Sequence, residues 1–119
     1  MKRTLVLGAS LNSNRYSYFV ISRLISFDYE VLAIGSKKGV INGVQVETEK
    51  VQFPDIHTVT LYLNPRRQED YYNYIISLRP ERVIFNPGTE NPELYKLLKQ
   101  HDIYFEAACT LVLLSTNQY

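Results

Sequence analysis

The sequence contains very little cysteine and histidine, which limits the disulfides and metal sites that it can form. Cys109 is the only cysteine among 119 residues, so an internal disulfide framework is excluded. A lone thiol is typical of a protein from a reducing compartment. The two histidines, His57 and His101, have no partner at metal-ligand spacing, so the sequence does not support a zinc site. We therefore expect a cytoplasmic protein without a structural metal.

Long apolar runs and an excess of one charge are also absent. The apolar stretch 4–7 near the N-terminus ends at Gly8, which makes it too short for a signal peptide. No segment approaches the roughly 20 apolar residues that a membrane-spanning helix needs. The formal net charge is +1, and the two signs are interspersed along the chain. We therefore expect neither a membrane nor a nucleic acid as a partner.

The sequence does contain a regular alternation of short apolar runs with helical patterns, which is typical of βαβ units. Strands are predicted at 4–7, 31–34, 57–63, 82–85 and 103–105, and helices at 14–27, 64–78, 91–100 and 109–114. We predict one domain over residues 1–119 with an α/β fold, a Rossmann-like doubly wound parallel sheet of about five strands in the order 3-2-1-4-5 with helices on both faces. The stretch 35–55 offers a short strand at 44–46 and no clear crossover helix.

In such sheets a ligand binds at the carboxyl ends of the strands, so the residues after each strand are candidates for a site. The residues that connect the first strand to its helix include Gly8, Ala9, Ser10, Asn14, Arg15 and Tyr16. A glycine permits a tight turn, and the start of a helix attracts anions. Only Gly8 of the dinucleotide fingerprint G-x-G-x-x-G is present, so a purely structural turn is an equal alternative.

The second strand is followed by Ser36, Lys37 and Lys38, where an NAD enzyme usually has an acidic residue. Two lysines suit a phosphate on the ribose, as in NADP or in the 3′-phosphate of coenzyme A. A solvated basic loop is the alternative interpretation.

Basic residues also begin the helix after the third strand. Asn64 is a candidate N-cap and Pro65 a favourable first residue of that helix. Arg66 and Arg67 follow in the first turn, where the helix dipole disfavours cations by a few tenths of a kcal/mol each. Arg15 has the same unfavourable place at the first helix. A bound anion would explain these positions, and chance is the competing explanation.

The fourth strand precedes a loop in which Gly88 follows Pro87, a pattern typical of a type II turn. Such a stiff loop offers backbone N–H groups to a ligand, although a turn with a structural role is equally compatible with it. We recognise no nucleophile–base pair in the sequence, so catalysis is not expected. Cys109 lies at the start of the last predicted helix, either as a core residue or as a reactive thiol near the ligand edge.

The chain also contains stretches that resemble the small stand-alone CoA-binding domains, which look like the nucleotide-binding domain of the succinyl-CoA synthetase α subunit. The matching stretches are 6–10, 15–17, 29–31, 41–43, 55–65, 82–91 and 106–111. The resemblance implies that Gly8, Ala9 and Ser10 contact the phosphates of the cofactor. It also implies that Ser36 and Lys37 lie near the adenosine end, and that the cleft is bordered by Asn64, Pro65, Pro87 and Gly88.

The function expected from the residues and the resemblance together is binding of coenzyme A or an acyl-CoA by a module without evident catalysis. One alternative is an NADP-linked enzyme or regulator, which the two lysines permit and the missing glycine fingerprint opposes. A second alternative is an interaction protein that kept the fold and lost the ligand. That protein would be expected to have few basic residues at the ligand edge.

Overall fold

The structure, a computed structural model, describes residues 2–119. Its strands within that range are β1 Thr4–Ala9, β2 Val31–Gly35, β3 Gly39–Ile41, β4 Val44–Glu47, β5 Thr58–Leu61, β6 Arg82–Phe85 and β7 Tyr104–Ala107. The α-helices are α1 Tyr16–Ser26, α2 Pro65–Gln68, α3 Tyr72–Leu78, α4 Pro92–Gln100 and α5 Thr110–Ser115. A 3₁₀ turn, Glu69–Tyr71, joins α2 to α3.

The strands form one mixed sheet in the order β3-β4-β2-β1-β5-β6-β7. Neighbouring strands are parallel except for β3, which runs antiparallel to β4. The predicted α/β class is therefore confirmed, whereas the prediction of a parallel sheet of about five strands in the order 3-2-1-4-5 is wrong. The strand predicted as third, β5, pairs with β1 and not with β2.

The error arises from the hairpin of β3 and β4, which lies within the stretch 35–55. This hairpin turns at Asn42 and Gly43, both of which have positive φ, as its tight turn requires. No helix lies between β2 and β4, so the alternation of strands with helices does not reveal β4. Because β4 occupies the position next to β2, β5 is placed on the opposite side of β1.

Helices cover both faces of the sheet, as predicted. Successive side chains of β1 point to opposite faces, so Leu5 and Leu7 join one buried cluster and Val6 the other. The first cluster includes buried residues of α3 and α4, and the second includes buried residues of α1 and α5. The carboxyl ends of the strands remain open between these two layers.

The predicted helix over 64–78 is interrupted. The α-helical hydrogen bonding of α2 stops at Gln68 and resumes at Tyr72, and the 3₁₀ turn lies between them. Gln68 is fully buried at this junction. Its side-chain amide donates to the carbonyl oxygens of Leu63 and Thr89, both at 2.8 Å. These hydrogen bonds fix the end of α2 to the loop after β6.

Candidate functional site

A cleft of about 600 Å³ opens at the carboxyl ends of the strands, above β1, β2, β5 and β6. Ten of the residues predicted for a site border it, namely Gly8, Ala9, Ser10, Arg15, Tyr16, Ser36, Asn64, Arg67, Pro87 and Gly88. Eight others complete its wall: Ser17, Ile34, Gly35, Tyr62, Leu63, Asp70, Tyr71 and Thr89. The volume lies within the range of roughly 300–1,000 Å³ that is typical of small-molecule sites.

The turn from β1 to α1 needs its glycine for two reasons. Gly8 has a φ of +100°, which side-chain-bearing residues rarely adopt. A Cβ at Gly8 would also lie 2.9 Å from both Leu63 Cγ and the backbone carbon of Tyr62. Beyond the glycine, the Ser10 N–H donates to the Ser17 hydroxyl at 3.1 Å. The backbone of this turn therefore reaches the floor of the cleft without a side chain in between.

Gly35 brings the ends of β1 and β2 together on the next side of the cleft. A Cβ at Gly35 would lie 2.1 Å from the Ala9 carbonyl oxygen, which is far inside van der Waals contact. The register between β1 and β2 shifts at this point, between Leu7 and Ala9. Hydrophobic periodicity does not predict this contact, because the contact depends on the pairing of β1 with β2.

The start of α1 is an uncapped helix terminus that borders the cleft. Arg15 is its N-cap residue, no side chain caps the helix within residues 2–119, and the first turn contains no acid. Arg15 and Tyr16 are exposed, Tyr16 by 72%. The free N–H groups and the Arg15 guanidinium thus place positive charge at this edge, where acidic side chains would stabilise the helix.

The start of α2 brings a second guanidinium to the same cleft. Asn64 caps this helix as predicted, accepting a hydrogen bond from the Arg67 N–H at 2.9 Å, and Pro65 is the first helical residue. Arg67 borders the cleft, whereas Arg66 does not. Neither Arg15 nor Arg67 forms an ion pair in the part of the chain that the structure describes.

The loop after β6 forms the predicted type II turn. Gly88 has a φ of +91°, and the Thr89 N–H donates to the Asn86 carbonyl at 3.0 Å. The Gly88 N–H already donates to a Glu90 carboxylate oxygen at 2.8 Å. The turn is therefore stiff, and a ligand would have to displace Glu90 to use the Gly88 N–H.

A buried polar network anchors this turn to the floor of the cleft. The Asn86 amide donates to the Thr60 hydroxyl at 2.7 Å and to the Leu61 carbonyl at 2.9 Å. Its oxygen accepts from the Thr110 N–H at the start of α5. Tyr62 borders the cleft beside this network, and burial raises the pKa of its phenol well above the ordinary value. Tyr62 therefore remains protonated at neutral pH and acts as a neutral polar group.

Five predicted site residues do not border the cleft: Asn14, Lys37, Lys38, Pro65 and Arg66. The Asn14 N–H donates to the Asn12 side chain in the loop before α1. Lys37 and Lys38 are exposed on the segment that leaves Ser36 for β3. Cys109 also lies outside the cleft wall, half-buried at the start of α5.

No group of three or more potential metal ligands occurs among residues 2–119. None of the described helices is both long and apolar enough to cross a membrane.

Solved structures similar to this chain share the whole fold. One, described as an uncharacterized protein, is 47% identical, with a TM-score of 0.97 and coverage of 100% of this chain and 98% of its own. A hypothetical protein from Pyrococcus horikoshii OT3 is 22% identical, with a TM-score of 0.86 and coverage of 98% and 83%. Cell-free ID.343 from Thermus thermophilus is also 22% identical, with a TM-score of 0.86 and coverage of 99% and 90%. The two 22% identical structures show the fold alone.

Sequence families give a more specific result. No curated protein matches the chain significantly. The model of the CoA binding domain family, in contrast, matches residues 2–115, which is nearly the whole chain. The chain therefore belongs to the CoA binding domain family.

Proposed function

We propose that this protein binds coenzyme A or an acyl-CoA in the cleft at the carboxyl edge of the sheet, as a binding module. The observation that carries this proposal is the meeting of Arg15 and Arg67, from two different helix starts, at one cleft where neither has an acidic partner among the described residues. Unpaired guanidinium groups beside free helix N–H groups are suited to a diphosphate. Family membership supports the same ligand.

The topology supports a nucleotide in this position. Counted along the chain, the parallel strands β4-β2-β1-β5-β6-β7 follow the order 3-2-1-4-5-6, which is that of Rossmann dinucleotide-binding folds. The strand order reverses between β1 and β5, and both strands end at the cleft. A ligand in such a sheet binds at this reversal, which supports a diphosphate over Gly8, Ala9 and Ser10.

The segment after β2 favours a ribose that carries a phosphate. It contains Ser36, Lys37 and Lys38, and no acid that would accept from a free ribose 2′-hydroxyl. Coenzyme A and NADP both carry a phosphate on the ribose, so an NADP-linked enzyme or regulator is the second candidate function. The turn after β1 favours coenzyme A, because it has Gly8 and lacks the further glycines of the dinucleotide fingerprint. An interaction protein that had lost its ligand would not need two unpaired arginines at the cleft.

The proposal extends to the organisation and location of the protein. One sheet with a hydrophobic cluster on each face supports a single domain over residues 1–119. The single half-buried cysteine supports a reducing compartment, and we therefore place the protein in the cytoplasm.

Calorimetry with three ligands tests the function. Coenzyme A is expected to bind more tightly than 3′-dephospho-CoA, by about tenfold or more, because Lys37 or Lys38 forms a charge-assisted contact with the 3′-phosphate. The double variant Lys37→Ala/Lys38→Ala should bind the two ligands equally. Tighter binding of NADP than of coenzyme A would favour the second function, and equal affinities of the native protein for both CoA forms would refute the role of the lysines.

Native mass spectrometry of freshly purified protein adds an independent test. A co-purified acyl-CoA would increase the mass of the protein by the mass of that ligand, which would also identify the acyl group.

A further inference from the structure

The wall of the cleft includes residues from both hydrophobic clusters. Ile34, Leu63 and Tyr71 pack with the buried cluster on the α3–α4 face of the sheet, and all three border the cleft. Tyr62 packs with the cluster on the opposite face. The cleft therefore has an apolar side near the end of β2, next to the basic segment that begins at Ser36.

Tyr71 lies where the helix over 64–78 is interrupted. In a continuous helix over 64–78, Tyr71 would belong to the same buried stripe as Ile75 and Leu78. In the structure it ends the 3₁₀ turn with φ −109° and ψ 0°, outside the helical range, while Ile75 is fully buried. Tyr71 remains half-buried and forms part of the cleft wall. A short 3₁₀ segment inside a helix often marks a functional hinge or a sequence under strain.

The Tyr71 ring is held by neighbours that are themselves fixed. The Tyr74 ring packs edge-on against it, with centroids 6.3 Å apart and planes at 64°. The Tyr74 hydroxyl in turn donates to the Val51 carbonyl. The Lys50 ammonium lies 5.2 Å from the Tyr71 ring centroid and donates to the Asp70 carbonyl. The segment between β4 and β5 thus fixes the turn that presents Tyr71.

Asp70 determines which part of a ligand suits this side. Asp70 borders the cleft, and its carboxylate would repel a phosphate. A carboxylate accepts hydrogen bonds, so an exocyclic amino group or a ribose hydroxyl is its natural partner. A fixed aromatic ring beside a hydrogen-bond acceptor is suited to a purine base with an amino group.

We infer that Tyr71 is the base-stacking residue of the cleft and that the adenine of the bound nucleotide lies against its ring, with Asp70 accepting from the adenine amino group or the ribose. This inference rests on the proposed function and assigns the base of the ligand to a particular residue. The adenosine occupies the side of Ile34 and Tyr71, the diphosphate crosses the turn at Gly8, and the rest of the ligand extends towards Pro87. Tyr71 then contributes affinity for the base, and Asp70 favours a base that carries an amino group.

The test compares ligands with and without the base. Affinities for coenzyme A, adenosine 3′,5′-bisphosphate and 4′-phosphopantetheine are measured by calorimetry for the native protein, Tyr71→Leu and Tyr71→Phe. Tyr104→Leu, at a 61% exposed position on β7, is the matched control. Thermal unfolding of each variant verifies that it is folded.

Tyr71→Leu should weaken both adenosine ligands by about tenfold, as is typical of the loss of one stacked base, and leave 4′-phosphopantetheine unchanged. Tyr71→Phe and Tyr104→Leu should bind like the native protein. If 4′-phosphopantetheine binds too weakly to measure, NMR of bound coenzyme A tests the stacking directly. The adenine H2 and H8 signals should shift upfield on binding to the native protein and not on binding to Tyr71→Leu.

Unchanged affinity of Tyr71→Leu for coenzyme A would overturn the inference and leave the proposed function intact. An equal loss for all three ligands would show that Tyr71 only maintains the shape of the cleft, which would also overturn it. Failure of the native protein to bind coenzyme A and adenosine 3′,5′-bisphosphate would instead refute the proposed function.

Discussion

Gly35 is the residue at which the packing of the cleft leaves the least room. Gly35→Ala should destabilise the protein by about 3 kcal/mol or more, because the added methyl group overlaps the Ala9 carbonyl oxygen and the two strand ends must separate. Chemical denaturation measures this loss. Gly43→Ala is the control, since a Cβ there meets nothing within 4 Å and only the positive φ opposes it, by about 1 kcal/mol. Equal losses in the two variants would show that the contact at Gly35 relaxes easily.

Arg66 and Arg67 are neighbours with the same charge in the first turn of α2, and only Arg67 borders the cleft. Arg67→Glu should weaken binding of coenzyme A by about tenfold or more, as expected for the loss of a charge-assisted contact. Arg66→Glu should change the affinity much less. Both variants should keep the free energy of unfolding of the free protein or raise it by a few tenths of a kcal/mol, because acidic side chains stabilise the start of a helix. The melting temperature should therefore stay the same or rise slightly.

Calorimetry and thermal unfolding of these two variants verify both parts of this prediction. A clear loss of stability in Arg67→Glu would show that this arginine supports the fold. Equal weakening by both variants would assign the effect to net charge alone.

Individual site residues were predictable where local chemistry reveals them. Asn64 is identifiable as a helix cap, Gly8 as a turn glycine and Gly88 as the third residue of a type II turn, and the structure places each of them at the cleft. Gly35 and Tyr62 were not predictable, because their proximity to the cleft depends on which strands pair. Lys37 and Lys38 point to phosphate chemistry by composition, yet the direction of the chain after Ser36 cannot be obtained from composition.

Tyr74 links two elements, α3 and the segment between β4 and β5. Burial raises its pKa to about 12 from the ordinary value of 10. Below pH 10 the phenol is protonated in both the folded and the unfolded chain, so its contribution to stability is complete. Between pH 10 and 12 the unfolded chain ionises first, and the free energy of unfolding should fall.

Denaturation curves from pH 8 to pH 12 measure this fall. Tyr74→Phe should be less stable near neutral pH, by about 1 kcal/mol for the lost hydrogen bond to Val51, and should lose less stability above pH 10. An identical pH dependence in the native protein and the variant would show that Tyr74 ionises freely in the fold.

At the element scale, hydrophobic periodicity predicted most strands and helices but missed two features. The β3–β4 hairpin consists of short strands that alternate buried and exposed residues, such as Val44 and Gln45, and no helix separates it from β2. The interruption after Gln68 results from tertiary hydrogen bonds to Leu63 and Thr89, which local propensity does not include. The interruption borders the proposed adenosine side at Asp70 and Tyr71, so these two residues were among the least visible in the sequence.

For the whole molecule, the sheet topology explains why residues far apart in the chain meet. The carboxyl ends of β1, β2, β5 and β6 bring the turn at Gly8, the basic segment at Ser36 and the arginine at the start of α2 to one cleft. A predicted order with β5 beside β2 would have separated the start of α2 from β1. The family, the class of fold and many of the residues that border the cleft were therefore accessible from the sequence, whereas the pairing of the strands required the structure.

Titration of coenzyme A into the ¹⁵N-labelled protein, followed by amide NMR, tests both the ligand and its place in the fold. The signals of Gly8, Ser10, Gly35 and Ser36 should shift and saturate at one ligand per chain, while those of β7 remain unchanged. Arg67→Glu should require a higher concentration of coenzyme A to reach the same shifts. The absence of shifts at saturating concentrations of coenzyme A, or shifts confined to residues away from the cleft, would contradict the proposed function.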